Sequence, residues 1–205
     1  EKVIAINVAY FAAGVIVVEF SAVDDERYSS NRQVRISNDS YIPGLGRLAR
    51  AIKAHGSRAV IQLHHPGRQN YAVITGLQPI APSAIPCPRV KEMPREMTLD
   101  EIRELIEKYA AAAVRAREAG FDAVQLHGAH GYMICQFLSA FSNKRTDEYG
   151  GDTVRRARFA TEIIRRCKEM AGSDFPIMLR FSGDEHVPGG LTPAESREIA
   201  RLAVE

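Results

Sequence analysis

The stretch Thr98–Leu126, TLDEIRELIEKYAAAAVRAREAGFDAVQL, contains a long helical pattern followed directly by a strand pattern. Thr98 and Glu101 have the spacing of a capping box, which predicts a helix that begins at Thr98. Apolar residues then recur at helical spacing until Gly120, so one face of this helix is expected to be buried. The run FDAVQL (Phe121–Leu126) predicts a buried strand.

The same alternation of strand and helix extends over the rest of the chain. Runs rich in branched and apolar residues predict three more strands, at Gly14–Phe20, Arg58–Leu63 and Phe175–Phe181. Helices are expected at Ile42–His55, at Asp152–Met170 and from Thr192 onward. At this last helix Pro193 occupies the first position and Glu195 completes a second capping box with Thr192. Alternating strands and helices predict a parallel sheet in which the four strands lie side by side in chain order, with the helices packed outside them.

The segment His64–Met97 interrupts this alternation. It is rich in proline and lacks periodicity, so we expect it to form no regular structure and to serve as a functional excursion from the fold.

Two layouts share the alternation: an open doubly wound sheet and a closed (β/α)₈ barrel. No strand is followed by Gly-x-Gly-x-x-Gly, the usual dinucleotide signature of the first layout. Both layouts place active sites at the carboxyl ends of the strands, so the position of the polar residues does not separate them. Four strands are visible where a barrel needs eight, so the 205 residues are expected to be part of a longer chain.

The composition is that of an ordinary globular protein, with 25% charged and 45% hydrophobic residues and a net charge of +2. This balance gives no reason to expect nucleic acid as a partner. No apolar run approaches the roughly 20 residues that a membrane helix needs. The three cysteines, Cys87, Cys135 and Cys167, lie far apart, which argues against a disulfide framework or a Cys-x-x-Cys metal site. Buried, inert thiols and a reducing, cytoplasmic setting are therefore expected.

The most informative residues follow the FDAVQL strand: HGAHGYMICQFLSAFSNKRTDEYGG, His127–Gly151. His127, His130 and Tyr132 have the pattern His-x-x-His-x-Tyr, and the two intervening glycines allow the backbone to bend sharply. Imidazole and phenol groups at a strand end can hold a carbonyl oxygen, stabilise negative charge on it and deliver a proton. From the residues alone, a catalytic role, a metal site and a purely structural role all stay open, although no third metal ligand has a convincing spacing.

The run His127–Gly151 closely resembles the signature of the old yellow enzyme family, the NADH:flavin oxidoreductases that include 2,4-dienoyl-CoA reductase and enoate reductases. Other segments agree in order, among them VIQLHHPGR (Val60–Arg68) and LRFSGDE (Leu179–Glu185). The resemblance implies an α/β fold of the (β/α)₈ TIM-barrel type, of which residues 1–205 form a partial FMN-binding domain.

The resemblance also implies a role for each residue of the site. His127 and His130 would hydrogen-bond the carbonyl oxygen of the substrate, and Tyr132 would protonate its α-carbon. Gln62 would hydrogen-bond the pyrimidine edge of the flavin. Arg180 would lie beside flavin N1 and O2, where a fixed positive charge favours the reduced cofactor. An arginine within an apolar strand is costly without a partner, which supports a functional role for Arg180 over a surface ion pair.

Further residues match the family pattern as supports. His65 and Arg68 would face the barrel mouth and support the flavin pocket. The loop after the site would be fixed by Asn143, Arg145, Asp147 and Tyr149.

The activity that the resemblance implies is reduction of the C=C bond of an α,β-unsaturated carbonyl compound, with NADH or NADPH as reductant. An amine dehydrogenase of the same barrel family and a non-catalytic flavin-binding module are the alternatives. The His-x-x-His-x-Tyr pattern favours the alkene reductase, because two donors and an acid suit a small-molecule carbonyl substrate. In the dienoyl-CoA reductase branch a 4Fe–4S cluster follows the barrel, and its cysteines would lie beyond Glu205. No sequence pattern specifies an oligomeric state.

Overall fold

The computed structural model describes residues 13–204; residues 1–12 and Glu205 lie outside the described part. The strands are β1 (Val15–Ala22), β2 (Arg58–His64), β3 (Ile80–Ala81), β4 (Arg95–Glu96), β5 (Ala123–Gly128) and β6 (Ile177–Phe181). The helices are α1 (Ile42–Lys53), α2 (Ala72–Thr75), α3 (Leu99–Glu118), α4 (Met133–Leu138), α5 (Thr153–Ala171) and α6 (Pro193–Leu202). Four of the strands form one parallel sheet in the order β1, β2, β5, β6, which confirms the predicted arrangement.

Both predicted capping boxes are present. The hydroxyl of Thr98 accepts from the backbone N–H of Glu101 at 3.2 Å, and the Glu101 carboxylate accepts from the N–H of Thr98 at 2.8 Å. Thr192 and Glu195 repeat this exchange at the start of α6, at 3.4 and 2.9 Å. Each cap satisfies N–H groups that the first helical turn leaves free and stabilises its helix by about 1 kcal/mol.

The helices cover one face of the four-stranded sheet. Ile16, Ile61 and Val124 alternate inward and join the core formed with the helices. On the edge strands the opposite face is open, and Val15, Val17 and Met178 are 52, 39 and 41% exposed. We call this uncovered side the lumen face; it carries Val15, Val17, Phe20, Val60, Gln62, His64, Ala123, Gln125, His127, Met178 and Arg180. A sheet covered on one side matches a barrel wall, since a doubly wound sheet carries helices on both faces.

The strand bounds differ from the predicted ones by one or two residues: β1 ends at Ala22, β2 ends at His64, β6 begins at Ile177, and β5 is shifted at both ends. β5 begins at Ala123, two residues later than expected, and continues through Gly128. Asp122 precedes the strand: its backbone N–H donates to the carbonyl of Ala59 at 2.8 Å, while its carboxylate accepts from the N–H of Ala59 at 2.8 Å and binds Lys53 at 3.1 Å. His127 therefore lies within β5, paired in register with Arg180, rather than beyond the end of the strand.

The excursion after β2 contains more structure than its sequence predicted. Gly67–Gln69 forms a single 3₁₀ turn, α2 is a four-residue helix, and β3 pairs in parallel with β4. Side chains hold these short pieces: Asn70 donates to the Thr75 hydroxyl at 2.8 Å, and the Glu92 carboxylate caps the N–H of Ala72 at 3.0 Å. The expectation of no regular structure is wrong in this respect, because such short elements depend on individual side-chain contacts and leave no periodicity.

Two further expectations concern the whole chain. Cys87, Cys135 and Cys167 are all free and buried, as predicted. Within residues 13–204 no helix has the length and apolar character needed to cross a membrane.

Candidate active site

Polar side chains collect on the lumen face at the carboxyl ends of three adjacent strands. β2 contributes Gln62, β5 contributes His127, and β6 contributes Arg180. The strand register places Gln62 beside Gln125 and His127 beside Arg180. Three of the five residues predicted for the site are thus brought onto one surface by strand pairing alone.

The loop after β5 brings His130 and Tyr132 back to His127. Its backbone enters the left-handed region at His130 (φ 59°) and Gly131 (φ 72°), which reverses the chain within two residues. The ring centroids of His130 and Tyr132 lie 5.1 and 5.0 Å from that of His127. The three residues of the His-x-x-His-x-Tyr pattern therefore form one cluster.

Burial sets the protonation of His127. Desolvation, with smaller contributions from His130 and Arg180, lowers its pKa to about 4, so the imidazole is neutral at pH 7. The N–H of Ala129 approaches Nδ1 of His127 at 3.4 Å, which assigns the hydrogen of this imidazole to Nε2. That Nε2 lies 3.3 Å from Nδ1 of His130, so His130 accepts there. His127 is therefore an N–H donor through Nε2, and His130 is an N–H donor through its other ring nitrogen.

Tyr132 is half-buried beside these rings. Burial raises the pKa of its phenol, and the positive charge of Arg89 opposes part of that rise. Its hydroxyl has no hydrogen-bond partner within residues 13–204. The phenol therefore keeps its proton at pH 7, and nothing in the described chain occupies that proton.

Gln62 and Arg180 differ in how far the described chain satisfies them. Gln62 is buried, and its Nε2 donates to Oε1 of Gln125 at 2.6 Å, which leaves its own Oε1 as an acceptor. Arg180 is exposed and makes no ion pair or hydrogen bond with residues 13–204. The expectation of a costly buried arginine is therefore wrong, because alternation along β6 turns Arg180 to the uncovered lumen face.

His64, which no sequence motif singled out, also lies in the cluster. Its ring lies edge-to-face with Tyr132 at 4.3 Å between centroids and 4.7 Å from the ring of Phe20. Nδ1 of His64 is hydrogen-bonded to Nε2 of Gln33 at 3.0 Å. The signal that could have found it is the two-residue period of a strand, since His64 follows Gln62 by two positions on β2.

Two residues that were predicted to support the site, Asn143 and His65, differ in whether the structure agrees with that prediction. Asn143 donates to the carbonyls of Phe137 and Tyr149 at 2.8 and 2.7 Å, which fixes the loop after the site as expected. His65 instead faces the helix-covered side, where its Nε2 lies 3.7 Å from Asp24 Oδ2. The expectation that His65 faces the barrel mouth is wrong, because His64 takes the lumen side and successive side chains alternate.

Gln136 in α4 is a second residue that the sequence did not single out. Its side chain connects two loops. It donates to the carbonyls of Pro66 at 3.2 Å and Gly131 at 2.7 Å, and accepts from the N–H of Arg68 at 3.1 Å. The loop after β2 and the loop after β5 are thereby held together. Its signal was weak, since a glutamine within an apolar run has no distinctive spacing.

Among residues 13–204 there is no group of three or more His, Cys, Asp or Glu side chains that could hold a metal ion.

This chain is similar in sequence and fold to known proteins. Residues 6–204 match the NADH:flavin oxidoreductase / NADH oxidase family. An NADH oxidase of Thermoanaerobacter brockii is 48% identical over 194 residues, which are 94% of this chain and 30% of that protein. The structure of a 2-naphthoyl-CoA reductase complex superposes with a TM-score of 0.90 and 32% identity, over 96% of this chain and 32% of its own. Histamine dehydrogenase from Rhizobium sp. 4-9 gives a TM-score of 0.88 and 35% identity, over 98% and 30%.

These comparisons confirm the expected family and fold, and they show that the chain covers only part of the matched proteins. The resemblance to the old yellow enzyme type of flavin oxidoreductase and the (β/α)₈ barrel fold are confirmed, and the chain covers part of that barrel. The chain spans about a third or less of the length of each of these three proteins.

Proposed function

Because the chain belongs to the NADH:flavin oxidoreductase / NADH oxidase family, we propose that it forms part of an enzyme that reduces α,β-unsaturated carbonyl compounds. NADH or NADPH is the reductant, and the partner is a small-molecule alkene. The observation that carries the proposal is the cluster of His127, His130 and Tyr132, whose donors share the lumen face with Gln62 and Arg180. A cytoplasmic location stays a prediction.

FMN is the cofactor of this family, and the side chains of the lumen face suit it. The amide of Gln62 can both donate and accept, as the pyrimidine edge of a flavin requires. The guanidinium of Arg180 is a fixed cation with free donors, which suits the electron-rich N1 and O2 positions. Bound FMN supplies hydride transfer between the nicotinamide and the alkene. We propose residues 1–205 as a partial FMN-binding domain on this basis.

His127 and His130 hold the substrate carbonyl in this proposal. Hydride arrival at the β-carbon builds negative charge on the carbonyl oxygen, and two N–H donors stabilise that charge. His127 is neutral at pH 7, so it offers a hydrogen without carrying a buried charge. With a carbonyl oxygen bound, the Nε2–H of His127 donates to that oxygen instead of to His130.

Tyr132 completes the reaction by delivering a proton to the α-carbon. One hydride and one proton are added across the C=C bond, while the nicotinamide is oxidised. The protonated, unpartnered phenol supports this role, since a general acid must hold its proton at working pH and release it toward the substrate. Solvent returns the proton to the phenolate after each turnover.

Amine oxidation is the second candidate, because the chain is similar to a histamine dehydrogenase at 35% identity. The donor set favours the carbonyl substrate: His127, His130 and Tyr132 offer N–H and O–H groups, whereas a protonated amine needs acceptors. A non-catalytic flavin-binding module is disfavoured by the same cluster, since two N–H donors and a protonated phenol grouped on one surface suit a reacting carbonyl substrate.

The test is an anaerobic visible-absorption titration of the purified full-length protein. We expect a flavin spectrum that NADH or NADPH bleaches and that 2-cyclohexenone then restores. Bleaching by histamine but not by either nicotinamide would replace the proposal with amine oxidation. A protein with a flavin spectrum that responds to neither reductant would support the non-catalytic module.

A further inference from the structure

His130 has a backbone conformation that a histidine rarely adopts. Its φ of 59° lies in the left-handed region, where a residue with a Cβ is strained and glycine is favoured. Strained residues of this kind persist only where neighbouring contacts fix them, and they occur most often at active sites. The contacts that fix the backbone of His130 therefore bear on how its ring is used.

The backbone carbonyl of His130 is held by the side chain of Gln69. Nε2 of Gln69 donates to this carbonyl oxygen at 2.8 Å. The same nitrogen packs against the next residue, since a Cβ at Gly131 would lie 3.1 Å from it. Gln69 thus contacts both of the residues at which the chain reverses, and no sequence motif singled it out.

Gln69 is itself fixed in position by the loop after β2. It ends the 3₁₀ turn Gly67–Gln69, and Arg68 within that turn donates its N–H to the amide oxygen of Gln136 at 3.1 Å. Gln136 also donates to the carbonyl of Gly131 at 2.7 Å. Two glutamines therefore hold the carbonyls of two successive residues, and the turn connects one glutamine to the other.

The direction of the His130 ring depends on this backbone conformation. Nδ1 of His130 lies 3.3 Å from Nε2 of His127, so the N–H of His130 is on its other ring nitrogen. His130 is exposed, so a ligand can reach this N–H. A change of φ to an ordinary negative value would redirect the Cβ and carry the ring away from His127.

We propose that Gln69 is a positioning residue that holds His130 in its left-handed conformation and so directs the imidazole N–H of His130 at the carbonyl oxygen of the substrate. Gln69 acts through His130 and does not itself bind the substrate. This inference rests on the proposed function, in which His127 and His130 hold that oxygen, and it adds a residue from the loop after β2 to the machinery.

Four variants separate positioning from packing. Gln69→Met keeps the length of the side chain and removes the donor, whereas Gln69→Lys supplies a donor again and should restore binding. His130→Ala removes the ring that Gln69 positions. Gln78→Met is the matched control, because Gln78 is an exposed glutamine whose Nε2 donates to the carbonyl of Met93, outside the site, at 3.1 Å.

The measurement is calorimetric binding of 2-cyclohexenone to the oxidised, full-length, FMN-loaded enzyme without nicotinamide. Gln69→Met should raise Kd about three- to tenfold, the range expected for one lost hydrogen bond, and by no more than His130→Ala does. In the His130→Ala background, Gln69→Met should change Kd less than about twofold, because no ring is left to position. Gln69→Lys and Gln78→Met should stay within about twofold of the wild type.

The outcomes distinguish this inference from the function beneath it. Equal losses in the two backgrounds, a larger loss than in His130→Ala, or no recovery in Gln69→Lys would overturn the positioning role while ketone binding stands. A wild-type enzyme that binds 2-cyclohexenone but does not reduce it would overturn the proposed function alone, and the double-mutant comparison would still decide the role of Gln69. A wild-type enzyme that does not bind the ketone would overturn both.

Discussion

The segment His127–Gly151 contains two parts, the first half His127–Tyr132 and the second half Asn143–Gly151. They differ in whether their polar side chains are hydrogen-bonded within the described chain. In the first half, the hydroxyl of Tyr132 has no partner within residues 13–204, and His130 is exposed. In the second half, Arg145 donates to the Asp147 carboxylate and to the carbonyls of Pro82 and Met97 at 3.0 and 2.7 Å. The second half therefore has a structural role, because its side-chain donors are hydrogen-bonded within the protein. The first half forms the candidate active site, because its donors are left available to a ligand.

The two halves are joined by the α4 helix and its Gln136. This side chain packs so closely against the loop after β2 that a Cβ at Gly67 would collide with its amide group. Gly67 also has a positive φ of 59°. The available donors of the first half are therefore positioned by Gln136, whose own amide group is fully hydrogen-bonded, as a preorganised site requires.

The largest effect is expected for Tyr132→Phe, which removes an open donor from the first half. Alkene reduction in the full-length enzyme should slow about 10²–10⁴-fold, the usual contribution of a general acid, while flavin reduction by the nicotinamide stays nearly unchanged. Stopped-flow separation of the two half-reactions measures both rates. Equal slowing of both steps, or of neither, would remove Tyr132 as the acid.

Arg145→Met should act on stability instead of chemistry. Arg145 is buried, and its loss removes the ion pair with Asp147 and the donor to the two carbonyls, so we expect a destabilisation of about 3 kcal/mol. Turnover per folded, FMN-loaded molecule should stay within about twofold. Thr146→Ala, at an exposed neighbouring position, is the control for urea unfolding. A variant with unchanged stability but slower turnover would place Arg145 in the active site and would contradict the division of roles between the two halves.

The sequence was sufficient for the strand order, the two capping boxes and the His127 cluster. Each depends on local signals: a period of two or 3.6 residues, a cap at fixed spacing, or a motif. The environments of Arg180, His64 and His65 were not predictable in this way, because they depend on which face of the sheet the helices cover. The β3–β4 pairing and the Gln136 brace depend on contacts between distant segments and leave no periodic trace.

Arg180→Met tests an open donor outside the motif. A cation beside flavin N1 favours the reduced state, so its removal should lower the flavin reduction potential and weaken FMN binding. We expect a shift on the order of 30 mV, equivalent to about 1.4 kcal/mol for a two-electron couple. Arg58→Met is the matched control, since Arg58 lies at the amino end of β2 and pairs with Asp122 at 3.3 Å. An unchanged potential and unchanged FMN retention would assign Arg180 a structural role.

The smallest effect concerns the pH dependence of stability that His127 creates. Its pKa is lowered to about 4 in the folded chain, against an ordinary value of 6.5. Between these values the unfolded chain binds more protons than the folded one, so stability is fully present above pH 6.5 and is lost as pH falls toward 4. The first cause is burial of the imidazole, which disfavours its charged form.

His127→Asn should reduce that loss without abolishing it. Between pH 7.5 and 5.0 we expect the variant to lose about 1 kcal/mol less stability than the wild type, after discounting for solvent screening at a partly open site. A residual dependence should persist, because burial also lowers the pKa values of His64 and His65. Asp24 contributes nothing in this window, since its neighbours hold its pKa far below it. Urea midpoints of the full-length protein at the two pH values measure the difference, and a variant with the full wild-type pH dependence would show that His127 is not held neutral by the fold.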